Sequence, residues 1–287
     1  MTGPPLNPLP QAGGEVSIAA ALVKHAARLS LVSATPRLDA ELLMAHALGI
    51  ERTALLLSRL DDPAPAAFEP LLERRLAHEP VAYITGRRAF WTIELEIGPG
   101  ALIPRPDSET LIEAALAYFG TAGPRSVLDL GTGPGTLLFA ALAEWPEARG
   151  LGVDASRAAL AFAARNAARL GLAERAQLRA GDWAQGIEGA FDLILCNPPY
   201  VEDGGDLPPD VRGWEPAAAL FAGADGLDAY RGLAPQIGPL LAPGGIACVE
   251  IGAGQAAAAG ALFEAEGLSV ALRHDLAGRD RCLVLRG

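Results

Sequence analysis

Asn197-Pro198-Pro199-Tyr200 directly follows an apolar run, Phe191 to Cys196, and the spacing predicts a buried strand with this tetrapeptide at its carboxyl end. Open α/β sheets place their chemistry there. Two consecutive prolines have fixed φ and no N–H, so the loop is stiff, and its carbonyls and the Asn197 amide face outward as acceptors. Such a pocket suits a planar NH2 group. The lone pair of an amide or aromatic amine is delocalised, so the nitrogen needs orientation and a strong electrophile more than a base. Asn197 Oδ1 and the Pro198 carbonyl can each accept one N–H and aim the nitrogen at an electrophilic carbon. A strand ending in a Pro-Pro turn is common, so the tetrapeptide gains its weight from what lies upstream.

Ser126 to Leu130 reads as a strand that runs into Gly131-Thr132-Gly133-Pro134-Gly135-Thr136 and then a helix from Leu137 to Glu144. Glycines at alternate positions let the backbone turn tightly and approach a nucleoside. A second strand, Gly150 to Val153, ends in Asp154, roughly 20 residues beyond the glycines, where a carboxylate can accept from both ribose hydroxyls. The plainer account is a Gly-rich turn with an acidic helix cap, but both features fall at successive strand ends. A dinucleotide fingerprint is G-x-G-x-x-G, with pyrophosphate on the helix N-terminus. Here the spacing is G-x-G-x-G, and Asp129 precedes it. An acid there repels pyrophosphate and attracts a sulfonium or an ammonium, which favours S-adenosylmethionine over NAD. A third strand, Ala176 to Ala180, leads to Gly181-Asp182-Trp183. Asp182 can accept from the adenine amino group and Trp183 can cover the ring face. Taken alone, Trp183 is better explained as a partly buried core residue.

These residues carry a family resemblance. Asp129-Leu130-Gly131-Thr132-Gly133, Gly181-Asp182-Trp183, Asn197-Pro198-Pro199-Tyr200 and Trp214-Glu215-Pro216, in this order, resemble the bacterial protein-(glutamine-N5) methyltransferases of peptide-chain release factors. Arg37 to Leu43, Glu79 to Gly86, Phe90-Trp91 and Leu102 to Glu109 are similar to the same family, so the likeness spans nearly the whole chain. Pro134 and Thr136 depart from the expected small residues. The resemblance implies that Gly131 to Gly135 hold the methionine part of S-adenosylmethionine, Asp154 the ribose and Trp183 the adenine side. It implies that Asn197 touches cofactor and substrate, that Asn197, Pro198, Pro199 and Tyr200 grip the target glutamine, and that Tyr200 walls its side chain. That glutamine belongs to the Gly-Gly-Gln tip of a release factor. The expected reaction is a single in-line displacement with no general base, with Asn197, Pro198 and Tyr200 as the catalytic set.

Rival readings share parts of this pattern. An amino-methyltransferase acting on an exocyclic NH2 of DNA or RNA can use the same acceptor pocket. Against it stands the formal net charge of −11, since phosphate neutralisation needs clustered Lys and Arg. A non-catalytic adaptor is opposed by the intact acceptor loop, and an NAD oxidoreductase by the loop spacing. Three cysteines give neither a disulfide framework nor metal-ligand spacing, and no metal is expected. Cys196, Cys248 and Cys282 lie in apolar strands and read as reduced thiols of a cytoplasmic protein.

The elements that position these residues can be read from periodicity. Residues 1–13 are rich in Pro and Gly, lack the pattern of a signal peptide, and are predicted to form a disordered tail. Residues 14–86 show helical spacing and are predicted to form a small helical bundle, for which the resemblance implies substrate recognition. Asp39 and Glu41 near a helix start suit its dipole. Phe90 to Ile97 alternates at the strand period, so 87–106 is read as a β-hairpin linker. Residues 107–287 are predicted to be a Rossmann-like methyltransferase domain with a seven-stranded sheet, its last strand antiparallel. Residues 201–213 are predicted to be irregular, and a loop of that length is usually functional or mobile.

Overall fold

Short apolar runs in the second half of the chain, such as Ser126–Leu130 before Gly131 and Phe191–Cys196 before Asn197-Pro198, become strands of one sheet. The computed structural model of the chain describes residues 16–287; the stretch 1–13, read as a disordered tail, lies outside the described residues. The chain divides into two compact units, the first ending at Thr85 and the second running from Gly86 to Gly287.

The first unit is helical: α1 (Ile18–Leu29), α2 (Pro36–Leu48), α3 (Arg52–Ser58), α4 (Phe68–Leu76) and α5 (Val81–Thr85). Ser17 caps α1 by accepting from the Ala20 amide at 3.3 Å, and Pro36 opens α2, where its missing N–H costs nothing. Leu22, Leu29, Leu43, Met44, Phe68 and Leu72 pack as its core. Asp39 does more than favour a helix dipole: it is buried, and Arg75 of α4 donates to it at 2.8 Å. Glu41 likewise takes Arg37 and Arg52 together. Each acid pins its own helix to another segment.

The second unit opens with an antiparallel hairpin, β1 (Arg87–Phe90) and β2 (Ile93–Glu96). The alternating run Phe90 to Ile97 is therefore not one strand. Its turn falls at Trp91-Thr92, with Trp91 at φ +52°. Nor is 87–106 a free linker, because Phe90, Ile93 and Leu95 are buried in the core of this unit. After it come a 3-10 turn at Pro106–Ser108, α6 (Glu109–Phe119), β3 (Ser126–Leu130), α7 (Thr136–Glu144), β4 (Arg149–Asp154), α8 (Arg157–Arg169), β5 (Ala176–Ala180) and β6 (Phe191–Cys196). The chain then continues through α9 (Pro209–Arg212), α10 (Asp228–Ile237), β7 (Leu241–Glu250), α11 (Ala256–Ala265), β8 (Ser269–His274) and β9 (Asp280–Arg286). The stretch 201–213 is thus not wholly irregular, since α9 interrupts it.

The sheet has seven strands in the order β5-β4-β3-β6-β7-β9-β8. Strands β3 to β7 are parallel, and β9 runs antiparallel to both β7 and β8. Helices cover both faces, so the central strands are largely apolar and their apolar residues divide by parity. Val127, Leu193, Leu195, Ile246, Cys248, Cys282 and Val284 face one layer with α6, α7 and α8. Leu128, Leu130, Ile194, Cys196, Ala247, Val249, Leu283 and Leu285 face the other, with α10 and α11. The order turns back between β3 and β6, so a crevice opens at their carboxyl ends.

Asn166 of α8 is fully buried and holds three backbone groups at once. Its Oδ1 accepts from the Glu96 amide at 2.7 Å, and its Nδ2 donates to the carbonyls of Glu96 and Pro134, each at 3.0 Å. One side chain thus ties the hairpin and the glycine loop to α8. Asn166→Leu keeps the volume but strands those groups, and is expected to destabilise the protein by roughly 2–4 kcal/mol. Urea denaturation checks this; a loss below about 0.5 kcal/mol would mean the hairpin is held by apolar packing alone.

Candidate active site

The crevice at the β3/β6 switch is a cavity of about 410 Å³, within the range of small-molecule sites. Its floor comes from strand ends. Asp129 is the penultimate residue of β3 and Gly131, Thr132, Gly133 and Pro134 follow that strand, Asp154 ends β4, Asp182 and Trp183 follow β5, and Asn197 and Pro199 follow β6. Its outer wall comes from 100–105 with Ser108, and from Pro216, Ala218 and Ala219. Three expected site residues lie outside it. Gly135 sits behind the loop at φ +90°, where a Cβ would collide with the Phe139 ring. Pro198 is buried. Tyr200 turns its hydroxyl away, donating to Glu250 Oε1 at 3.3 Å, and so does not wall this cavity.

The glycine loop spends its amides inside the protein. Gly131 and Thr132 both donate to the Val153 carbonyl at 2.9 Å, Gly133 donates to Asp154 Oδ2 at 2.7 Å, and Gly135 donates to the Thr132 carbonyl at 2.9 Å. Pro134 has no N–H. The Leu138 amide, in the first turn of α7, donates to Asp129 at 3.1 Å. A phosphate cradle needs those N–H groups free, and here only the Thr136 and Leu137 amides at the start of α7 have no acceptor among the described residues, so the glycine loop itself offers a pyrophosphate no donors.

Asp129 is 1% exposed. Its Oδ2 accepts from Thr132 Oγ1 at 2.7 Å and from the Leu138 amide, while Oδ1 has no hydrogen-bond partner. Burial pushes this carboxyl up to about 7, the two hydrogen bonds pull it down, and the nearby charge of Asp154 raises it further. A buried acceptor with an unused oxygen beside a cavity fits a cationic group. Asp154 is also raised by burial. Its two oxygens each take one amide, Gly133 on Oδ2 and Ser156 on Oδ1, both at 2.7 Å. Each oxygen keeps a second lone pair for a hydroxyl. Trp183 has φ +47°, unusual for a large side chain. Its ring lies over Gly131, where a Cβ would sit 3.3 Å from it. Asp182 is exposed at the rim and takes Gln185 Nε2 at 2.6 Å.

At the end of β6, Asn197 Nδ2 donates to Ser108 Oγ at 3.0 Å, and among the described residues none donates to the Pro198 carbonyl. The outer wall depends on one acid. Glu215, 6% exposed, accepts from the Ile103 amide at 3.0 Å and pairs with Arg105. Gln255 Nε2 donates to the Tyr200 carbonyl at 3.0 Å. Glu250 and Gln255 lie outside the motifs, and Ser108 lies inside the Leu102 to Glu109 stretch with no role assigned to it; Glu250 carried a signal, being a lone acid that closes the apolar run of β7.

Comparison with known proteins gives concordant matches. Residues 20–86 match the PrmC N-terminal domain family, and residues 108–210 match the Methyltransferase small domain family. The release factor glutamine methyltransferase of Rhodospirillum rubrum is 48% identical over 257 residues, 88% of this chain and 79% of that protein. That of Cereibacter sphaeroides is 48% identical over 256 residues, 86% of this chain and 90% of that protein. Among solved structures, a methyltransferase from Pyrococcus furiosus is 20% identical, with a TM-score of 0.52, covering 74% of this chain and 95% of its own. The catalytic domain of hMettl16, 16% identical, also gives 0.52, covering 75% and 81%. The last two share the fold alone.

The raised Asp129 value has a thermodynamic sign. The fold favours the neutral acid, so its contribution to the stability of the ligand-free protein falls as pH rises from 3.8 through about 7. Asp129→Asn is therefore expected to stabilise the ligand-free protein by roughly 1–3 kcal/mol at pH 8 and by little at pH 4. Thermal melts at the two pH values check this; a variant that melts lower at pH 8 overturns it.

Proposed function

The chain belongs to the release factor glutamine methyltransferase family, and from that premise we propose how its own residues serve the reaction. The protein transfers a methyl group from S-adenosylmethionine to the side-chain amide nitrogen of a glutamine in a peptide-chain release factor. We take that glutamine to be the one in the Gly-Gly-Gln tip. One observation carries this reading: an acceptor on a rigid strand end, Asn197, borders the same cavity as an orphaned buried carboxylate oxygen on Asp129.

Bound there, S-adenosylmethionine supplies an electrophilic methyl on a cationic sulfonium leaving group. Asp129 Oδ1 answers its positive charge, and the remaining lone pairs of Asp154 its ribose hydroxyls. Trp183 and Asp182 serve the adenine at the rim, and Gly131 to Gly135 let the backbone come close. Asn197 Oδ1, at the cavity, accepts one N–H of the substrate amide, and the Pro198 carbonyl, outside the cavity lining but without a donor among the described residues, accepts the other. Held by both, the nitrogen cannot turn its lone pair away from the methyl, and this alignment is the main catalytic contribution. As positive charge grows on the nitrogen those acceptors bind it more strongly, so they stabilise the transition state more than the ground state. No general base is needed, since the N–H becomes strongly acidic as the new bond forms. Tyr200 does not serve as one: its hydroxyl is donated to Glu250, and burial holds its own acidity low. Its part is to brace the loop.

The exocyclic NH2 of DNA or RNA is not favoured as substrate: the chain's relatives act by name on release factors, and its net charge is −11. We place the protein in the cytoplasm, on the strength of three buried free thiols and a substrate of the translation apparatus. Among the described residues no helix is long and apolar enough to cross a membrane.

Incubation with a release factor and labelled cofactor is expected to place one methyl on the glutamine of its Gly-Gly-Gln segment, read by peptide mass spectrometry. Asn197→Ala is expected to lower turnover by about 10²–10³ while sinefungin affinity changes far less. Transfer at the wild-type rate in that variant refutes the role of Asn197.

A further inference from the structure

Ser108 opens α6 at the N-cap position, where a serine ordinarily accepts from an amide of the first turn. Here it makes no side-chain cap. It is 2% exposed, and its hydroxyl is used elsewhere: Oγ receives Asn197 Nδ2 at 3.0 Å, and the hydroxyl favours the ionised form of the Glu250 carboxyl nearby. Glu250 closes β7, next to β6 in the sheet, and is 1% exposed. Its Oε1 takes the Tyr200 hydroxyl, Oε2 has no close donor, and Ser108 is the other hydroxyl bearing on it, in a looser contact. Arg281 also attracts it, though that guanidinium is already engaged with Asp107 and the Ile251 carbonyl.

A hydroxyl has one proton and two lone pairs, which fixes the polarity of the chain. An ionised Glu250 accepts only. Tyr200 gives it its single proton, and the Ser108 hydroxyl, which favours the same charge, turns its own proton that way. Ser108 then has only lone pairs left for Asn197, so the amide presents Nδ2 to Ser108 and turns Oδ1 away. We propose that Ser108 and Glu250 are positioning residues for methyl transfer, which lock the Asn197 side-chain amide in the one orientation whose oxygen accepts the substrate's N–H. The inference rests on the glutamine-methylation reading and deepens it. Without the lock, half-turn rotation of the amide would offer NH2 to the substrate NH2, donor against donor. Gln255, holding the Tyr200 carbonyl while Glu250 takes its hydroxyl, keeps the tetrapeptide in register with this network. Burial raises the Glu250 carboxyl to about 7; Ser108, Arg281 and Tyr200 pull it down and Asp107 pushes it up. At pH 8 the acceptor-only form prevails.

The chain has three asparagines, Asn7, Asn166 and Asn197, so selective ¹⁵N-asparagine labelling resolves the Asn197 side chain by NMR without turnover. At pH 8 its NH2 protons are expected to be protected from exchange in the wild type and unprotected in Ser108→Ala. In Glu250→Gln, which puts an amide donor where only an acceptor stood, the Asn197 signals are expected to shift. Both variants are expected to lose about 10- to 100-fold in kcat at unchanged sinefungin affinity, and Ser108→Thr, which retains Oγ, to recover most of the rate. Ser108→Ala with wild-type kcat and wild-type exchange overturns the inference. So does a rate loss that merely follows lost melting temperature and sinefungin affinity. Failure of the wild type itself to methylate a release factor would instead refute the glutamine reading, whatever the NMR shows.

Discussion

Two carboxyls buried at neighbouring strand ends set the terms for everything at the carboxyl edge of the sheet. Asp129 is the penultimate residue of β3 and Glu250 ends β7, with β6 and the Asn197 that follows it between them. Each is almost fully enclosed, each has one oxygen without a close donor, and burial lifts both to about 7. An interior selected for stability alone would put apolar groups there. What these acids provide is unspent accepting capacity held in place, the property that a cationic ligand and an orienting network each need.

The strand ends were legible because their signal is local. β3, β5 and β6 have the bounds that their apolar runs suggested, and the residues immediately after them form the cavity floor. The hairpin was less legible. Alternation marks a strand period but not a turn, and Trp91 reverses the chain inside the alternating run. Its incorporation into the second unit depends on Asn166, 70 residues from Glu96, which no periodicity reveals. Tyr200 shows the same limit: an aromatic beside a reactive asparagine invites a role as a wall, and only β7 folding alongside β6 supplies the carboxyl that claims its hydroxyl. Ser108 lies within the Leu102 to Glu109 stretch that the resemblance covers, but only its contact with Asn197, 89 residues away, gives it a role.

The backbone settles the choice of cofactor more firmly than the spacing of glycines could. G-x-G-x-G differs from a dinucleotide fingerprint by one residue, which alone is a weak distinction. The folded loop removes the ambiguity, because its amides and that of Leu138 already serve Val153, Asp154, Thr132 and Asp129. Of the backbone donors beside the cavity, the Thr136 and Leu137 amides at the start of α7 remain, while Asp129 and Asp154 offer acceptors. The loop therefore suits a cation and hydroxyls.

Four acids of one chemical type acquire different work from their partners alone. Glu215 is satisfied twice over, by the Ile103 amide and Arg105, and so acts as a strap across the outer wall. Asp154 is satisfied once on each oxygen and can still accept. Asp129 is satisfied on one oxygen only, which leaves the other for charge. Glu250 receives the Tyr200 hydroxyl, a proton it cannot return, and so anchors the loop that carries Asn197. The sequence specifies where each carboxylate lies along the chain. The count and direction of the donors around it, set by packing between segments far apart in sequence, decide whether it braces, binds or orients.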